Sequence, residues 1–205
     1  MLRSPATIQD TTILIPTNKL LTSLSDVFNT DPAQETHMHD NVGLRAENLL
    51  LPTDICVYRD PEHQELVVLG EGGQGKVYRG LLHGVQDVAI KIISQEDTSG
   101  RAMFLREIAI IESLRSPHIV TFLGACIGRD GVALVMELMP NGSLYEKIAT
   151  DHDGNFGWYK RGGKIALGVA RGLAHLHKQR PPILHLYLKS PNGQPPLALR
   201  PGAAW

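Results

Sequence analysis

Alternating apolar and polar positions between residues 66 and 93 predict a hairpin with a glycine-rich turn and a further strand after it. An apolar run at 66–69 leads into the stretch 70–75, which holds four glycines, and a β-prone pair follows at 77–78. A turn-rich gap precedes residues 88–93, which are mostly aliphatic and predict the further strand. Side-chain alternation along that strand predicts two opposite faces, one with Ala89 and Lys91 and the other with Val88, Ile90 and Ile92.

Further along the chain, the apolar spacing lengthens and predicts helices. Residues 99–114 place apolar side chains at i, i+4 and i+7. Residues 164–178 carry a second apolar stripe, made of Ile165, Val169, Leu173 and Leu176. Glu107 lies beside the first stripe, so from periodicity alone it is either a solvated flank residue or the partner of a buried cation.

Shorter patterns predict three more strands and one doubtful helix. Residues 119–127 and 132–138, joined by a glycine-bearing turn, predict a hairpin, and residues 56–58 predict an extra strand. Residues 1–50 show no sustained period, so we expect a flexible leader or a partner-contact segment there. The apolar positions that could line a short helix in this leader are Leu20, Leu21, Leu24, Val27 and Phe28.

Composition restricts the class of protein. The 205 residues suit one domain or one and a half, and the formal charge of −1 argues against nucleic acid or an anionic membrane as the main partner. The two cysteines, Cys56 and Cys126, are far apart and lack metal-ligand spacing, which indicates a reducing, cytoplasmic location. No apolar run approaches the ~18 residues of a membrane span, and no signal peptide is recognisable.

The glycine stretch satisfies parts of three phosphate-binding motifs, and its surroundings distinguish them. Glycines at 70, 72 and 75 let backbone N–H groups approach a polyanion closely. A P-loop needs a Ser or Thr after Lys76 and then a helix, whereas Val77 begins a β-prone segment. The dinucleotide fingerprint also requires a helix. The pattern G-x-G-x-x-G-x-V followed by V-A-I-K fits every position and is a protein-kinase signature.

The segments FLREIAIIESLRSPHIVTFLGACI and VALVMELMPNGSL extend this likeness, and the chain resembles a protein kinase of the tyrosine-kinase-like group, which is mostly Ser/Thr-directed. The resemblance implies an α+β fold with an antiparallel five-stranded small lobe, one αC helix and an incomplete helical large lobe. The expected division is a leader at 1–50, the ATP-binding small lobe at 51–138, the hinge and start of the large lobe at 139–192, and a non-family tail at 193–205.

The resemblance also assigns candidate site residues. Glu107 would be the αC glutamate that pairs with Lys91, and this ion pair would hold the ammonium against the phosphates. Met136 would guard the rear of the adenine pocket, while Glu137 and Met139 would offer hinge backbone groups to adenine. The remaining expected ATP contacts are Leu69, Gly70, Glu71, Gly72, Gly73, Gln74, Gly75, Val77 and Ala89.

The sequence departs from the family pattern at the catalytic loop. In HLYLKSPN the family expects H-R-D-L-K-S-x-N, so His185, Leu188, Lys189, Ser190 and Asn192 match. Leu186 stands in place of the Arg, and Tyr187 in place of the Asp that accepts the substrate proton. A protonated phenol is a poor base at pH 7, and losing a general base typically costs ~10²–10⁴ in rate.

After Asn192 the chain reads GQPPLALRPGAAW, with no D-F-G carboxylate for magnesium, and Asn192 alone cannot organise two Mg²⁺ ions. We therefore expect an ATP-binding Ser/Thr kinase fragment, cut off within the catalytic loop and inactive on its own. ATP, Mg²⁺ and a protein substrate are the ligands that the family implies. Two alternatives stay open: a pseudokinase-type module that binds nucleotide or a protein partner, and an alternatively spliced or misframed product without function.

Overall fold

The computed structural model describes residues 20–28, 44–72, 75–94, 108–127, 131–186, 188–189, 193–194 and 203–204. Residues 108–113 are helical and are called α2. The other elements, in chain order, are β1 (Leu20–Ser23), α1 (Leu24–Phe28), β2 (Ile55–Arg59), β3 (Val68–Gly72), β4 (Gly75–Leu82), β5 (Gln86–Ser94), β6 (Phe122–Ile127), β7 (Gly131–Glu137), α3 (Leu144–Ala149), α4 (Gly163–His177), β8 (Gly193–Gln194) and β9 (Ala203–Ala204).

One antiparallel sheet organises the first two thirds of the chain. Its strand order is β1-β2-β4-β5-β7-β6, and β3 pairs with β4 outside this path. Strands β3 to β7 are the five strands that the sequence predicts, so the predicted α+β class is confirmed. The sheet has seven strands rather than five, because β2 pairs with β4 and β1 pairs with β2. The extra strand predicted at 56–58 is therefore present.

Strand β5 lies between β4 and β7, and its side chains alternate between the two faces of the sheet as predicted. Val88 and Ile90 are fully buried on one face, whereas Ala89 and Lys91 are half-buried on the other. The first face is covered by residues from the expected leader. Leu24, Phe28 and Leu50 belong to the same hydrophobic cluster as Val88 and Ile90.

The expected leader at 1–50 has apolar residues in the core of the sheet, in the parts of it that the structure describes. Leu24 is completely buried, and Phe28 and Leu50 are nearly so. The predicted short helix is also smaller than its apolar positions suggest, because Leu20 and Leu21 lie in β1 and only Leu24–Phe28 is helical. Burial against the sheet stabilises a helix that is too short to form alone.

The opposite face of the sheet packs against α2. Ile108 and Ile111 form a cluster with Val132 and Leu134 of β7. Cross-strand pairing aligns Leu134 with Lys91, so α2 lies on the face of the sheet that carries Lys91. Residues 99–107, the first part of the helix predicted at 99–114, lie outside the described residues.

The segment 44–50 crosses from α2 to the edge strand β6. Asn48 Nδ2, Arg45 Nε and the Arg45 backbone N–H all donate to Oε1 of Glu112, at 2.5, 3.1 and 3.1 Å. The Leu50 N–H donates to the Ala125 carbonyl at 2.9 Å. Glu112 is 6% exposed, so the segment supplies the hydrogen bonds that a buried carboxylate requires.

Helix α4 buries only part of its predicted apolar stripe. Ile165 and Leu176 are buried, and Leu176 packs with Leu114 and Ile119. The other two stripe residues line an open apolar groove of about 350 Å³ between α3 and α4, with Leu144, Ile148, Phe156, Gly162, Ile165, Ala166 and Ala170 as further lining residues. Half of the stripe therefore lacks the apolar cover that it would need for full burial.

The tail contributes a minimal hairpin, in which Gly193 and Gln194 pair with Ala204 and Ala203. Strand β8 approaches α3, and β9 approaches α4. Across the described ranges, no helix is both long enough and apolar enough to span a bilayer.

Strand β2 approaches β4 closely at Gly80, and a substitution there tests this packing. A Cβ at Gly80 would lie 2.4 Å from the Cys56 carbonyl oxygen and 2.2 Å from Cδ1 of Ile90. Because the first of these atoms is backbone, we expect Gly80→Ala to lower the free energy of unfolding by ~1–3 kcal/mol or more. Gly70→Ala is the matched control, since a Cβ there meets nothing within 4 Å. Urea unfolding followed by circular dichroism measures both, and equal stability of the two variants would contradict this packing.

Glu112 makes the stability of the fold depend on pH. Burial acts to raise the pKa of Glu112, but the hydrogen bonds from Asn48 and Arg45, with the Arg45 charge, together outweigh it and lower the pKa below its ordinary 4.5. A carboxyl group whose pKa is lower in the folded state than in the unfolded state stabilises the fold at pH values above its unfolded pKa. This stabilisation is lost as pH falls through the folded pKa. We expect the wild type to lose stability relative to Glu112→Gln as pH falls below 4.5.

Urea midpoints of both proteins, measured between pH 7 and pH 3, test this because the other carboxyl groups contribute equally to both curves. Parallel curves would show that Glu112 does not contribute.

Candidate functional site

The glycine-rich stretch forms a hairpin between β3 and β4. Gly72 pairs with Gly75 and Gly70 with Val77, and Lys76 Nζ lies 3.3 Å from Oε1 of Glu71. A strand follows the glycines, so the helix that a P-loop or a dinucleotide fingerprint requires is absent at this point. Gly73 and Gln74, at the tip, lie outside the described residues.

Lys91 lies near the middle of the sheet, on the face that α2 covers. It is directly opposite Val77 of β4 and Leu134 of β7, while Ala89 is opposite Met136. Because directly paired residues in an antiparallel sheet point to the same side, the structure brings four of the predicted site residues together on one face: Val77, Ala89, Lys91 and Met136. Glu107 lies outside the described residues, so its predicted pairing with Lys91 stays a prediction.

The predicted hinge begins where β7 ends. Oε1 of Glu137 accepts hydrogen bonds from the Thr121 N–H at 2.8 Å and from Thr121 Oγ1 at 3.0 Å. The Glu137 N–H donates to the Thr121 carbonyl at 3.0 Å, so this donor is already used within the protein. Met139 follows in the link toward α3. Any hinge contact that Glu137 makes with a ligand would therefore come from its carbonyl oxygen.

Sequence reasoning missed the carboxylate of Glu137, which it considered only for its backbone. The contact with Thr121 joins residues sixteen positions apart. A carboxylate at a strand end and a threonine before another strand carry no pattern that predicts this pairing. The two hydrogen bonds fix the start of the hinge to the strand beside it.

After the hinge, Ser143 is the N-cap residue of α3. Its side chain accepts a hydrogen bond from the Glu146 N–H at 3.2 Å, and Oε2 of Glu146 accepts from the Ser143 N–H at 2.7 Å. Gly142 has a positive φ of 69°, which glycine adopts without strain. This capping box sets the direction of the chain as it leaves the sheet.

The residues that match the catalytic loop are only partly described. Nδ1 of His185 is buried and has no hydrogen-bond partner within the described part of the chain. Leu186 is 80% exposed, and Lys189 is also exposed. Tyr187, Ser190 and Asn192 lie outside the described residues. The roles that the resemblance assigns to the base and metal positions therefore stay predictions.

In the part of the chain that the structure describes, the side chains do not form a site that would hold magnesium. No group of three or more His, Cys, Asp or Glu side chains there is arranged to hold a metal ion. Magnesium prefers carboxylate oxygens, and Asn192, the metal position that the resemblance assigns, lies outside the described residues. We therefore derive no catalytic step that passes through a metal ion.

Comparison with known proteins identifies a matching family and several relatives. The pattern of the protein kinase domain matches residues 63–192. The probable serine/threonine-protein kinase PBL21 of Arabidopsis thaliana is 40% identical over 133 residues, which are 63% of this chain and 34% of that protein. The serine/threonine-protein kinase CTR1 of the same plant is 39% identical over 126 residues, 60% of this chain and 15% of that protein.

The receptor-like serine/threonine-protein kinase ALE2 of Arabidopsis thaliana is 36% identical over 126 residues, 61% of this chain and 16% of that protein. The chain thus spans about a third or less of the length of these relatives. The matched region contains the glycine hairpin, Lys91, the hinge and the altered catalytic loop. The chain belongs to the protein kinase domain family.

Proposed function

We propose that this chain is an ATP-binding kinase small lobe whose phosphotransfer to protein serine or threonine is abolished or nearly so. The observation that supports nucleotide binding is the shared face of Val77, Ala89 and Lys91 beside the glycine hairpin. In this proposal, backbone N–H groups of residues 70–75 and the Lys91 ammonium bind the phosphates. Adenine lies against Leu69, Val77 and Ala89, with hydrogen bonds to the hinge.

The second half of the proposal, the loss of phosphotransfer, rests on the substitution at the base position. Tyr187 stands where the family has an aspartate, and a phenol with an ordinary pKa near ~10 holds its proton at pH 7. It therefore cannot accept the proton of a substrate hydroxyl efficiently. Lys189, which matches the family's catalytic-loop pattern, is exposed. The chain is proposed to retain binding while losing the chemistry.

We also place the protein in the cytoplasm. Cys56 and Cys126 are not joined by a disulfide, and a reducing compartment keeps thiols in that form. We propose a protein substrate or protein partner only because the protein kinase family implies one.

Nucleotide binding should depend on Lys91. We expect millimolar ATP to raise the melting temperature of the wild-type chain, because a ligand that binds only the folded state stabilises it. Lys91→Ala should weaken ATP binding about tenfold or more, since a hydrogen bond to a charged group contributes ~1.5–3 kcal/mol. Adenosine, which lacks phosphates, should bind both proteins equally. Calorimetry with ATP and adenosine measures this difference.

Lys164→Ala is the matched control, because Lys164 is an exposed cation on α4. Absence of any ATP effect on the wild type would contradict nucleotide binding and leave the protein-binding alternative.

Phosphotransfer should be at least ~10²-fold below the ~1–100 s⁻¹ of typical kinases. Transfer of labelled γ-phosphate to a generic serine- and threonine-containing protein measures the rate. Tyr187→Phe should leave the residual rate unchanged, because the phenol is not acting as a base. Tyr187→Asp should raise the residual rate, because it restores a carboxylate at that position. A wild-type rate within the typical range, or its loss in Tyr187→Phe, would contradict the proposal.

A further inference from the structure

The carboxylate of Glu112 is a buried charge that the proposed nucleotide site does not use. It lies on α2, and its Oε1 accepts three hydrogen bonds from Arg45 and Asn48. The Arg45 guanidinium adds a charge partner at 3.1 Å from the same oxygen and lies 3.4 Å from Glu47 at the surface. Charge-assisted hydrogen bonds of this kind are the strongest that side chains form. Arg45 and Asn48 therefore act as a specific clamp on one end of α2.

The segment that carries this clamp is itself attached to the sheet. Leu49 forms a parallel bridge with Ala125, and the Leu50 N–H donates to the Ala125 carbonyl at 2.9 Å. Gly124 allows this close approach, because a Cβ there would lie 2.9 Å from the Asn48 carbonyl oxygen and 2.7 Å from Cγ of Leu50. The 44–50 segment is thus joined at one end to α2 and at the other to β6.

Helix α2 is therefore held from two sides by different interactions. Ile108 and Ile111 pack against β7 through apolar contacts, with Leu44 packed against the same cluster. Apolar contacts resist separation but are non-directional, so they allow a helix to pivot or shift along its axis. The hydrogen bonds to Glu112 are directional, so they define the rotation and the axial position of α2.

The position of α2 matters because Glu107 directly precedes Ile108 in the sequence. We propose that Glu112 is a positioning residue: with Arg45 and Asn48 it anchors α2 against β6, so that the affinity for ATP depends on the 44–50 segment. This proposal rests on the proposed function and on the predicted pairing of Glu107 with Lys91. It adds that residues outside the 63–192 match to the kinase domain belong to the nucleotide-binding unit.

Asn48→Ala on the full chain tests the anchor, since it removes one donor and leaves Arg45 in place. We expect ATP to bind Asn48→Ala at least ~5-fold more weakly than the wild type, a typical coupling between distant sites. Adenosine, which needs no ammonium, should bind within ~2-fold of the wild type. Amides of residues 108–113 should exchange with deuterium faster, because α2 loses part of its attachment.

Thr22→Ala is the control at the opposite edge of the sheet. It removes the hydrogen bond that Thr22 Oγ1 accepts from Arg59 Nε, between β1 and β2. This variant should lower stability without changing the ratio of ATP to adenosine affinity. An equal change in that ratio for both variants would show that Asn48 acts only through general stability, and the inference would be overturned.

Failure of the inference and failure of the proposed function give different results. If the wild type binds ATP in a Lys91-dependent way while Asn48→Ala keeps its affinity, the inference is overturned and the proposed function stands. If the wild type does not bind ATP at all, the proposed function fails, and the dependence of nucleotide affinity on the segment fails with it. Anchoring of α2 itself would then stand or fall on the exchange of residues 108–113 alone.

Discussion

Side-chain alternation along β5 is the constraint on which the rest of this structure depends. Val88 and Ile90 must be buried on one face, so Lys91 necessarily points to the other. A shift of one residue in the register would bury the ammonium among aliphatic side chains. Each face then acquires its own cover, α1 with Leu50 on one side and α2 on the other. The face on which Lys91 lies is thus a consequence of how the core is built.

The parts of the fold that the sequence predicts are those with a strong local pattern. Strands β3, β4 and β5 follow from glycine placement and alternation, and α4 from its apolar stripe. The cover formed by Leu24 and Phe28 could not be predicted in the same way. A five-residue helix has no stability of its own, so its formation depends on contacts with strands that are distant in sequence.

The candidate site likewise has residues that the sequence predicts and contacts that it does not. Lys91, Val77 and Ala89 are predictable because their spacing within one hairpin is fixed by strand geometry. The interaction of Asn48 with Glu112 joins residues 64 positions apart and depends on the exact path of a non-repetitive segment. No periodicity encodes such a contact, because it arises only after the sheet and α2 have packed. Sequence motifs therefore locate the candidate ligand-binding groups but omit the long-range contacts around them.

The bridge between Leu49 and Ala125 has a further consequence for self-association. Strand β6 is the last strand on its side of the sheet, and unpaired backbone groups at such an edge can pair with another chain. The 44–50 segment occupies part of that edge with its own backbone. A shortened protein that starts after this segment would expose strand-pairing groups to solvent, and intermolecular sheet extension would compete with the monomer.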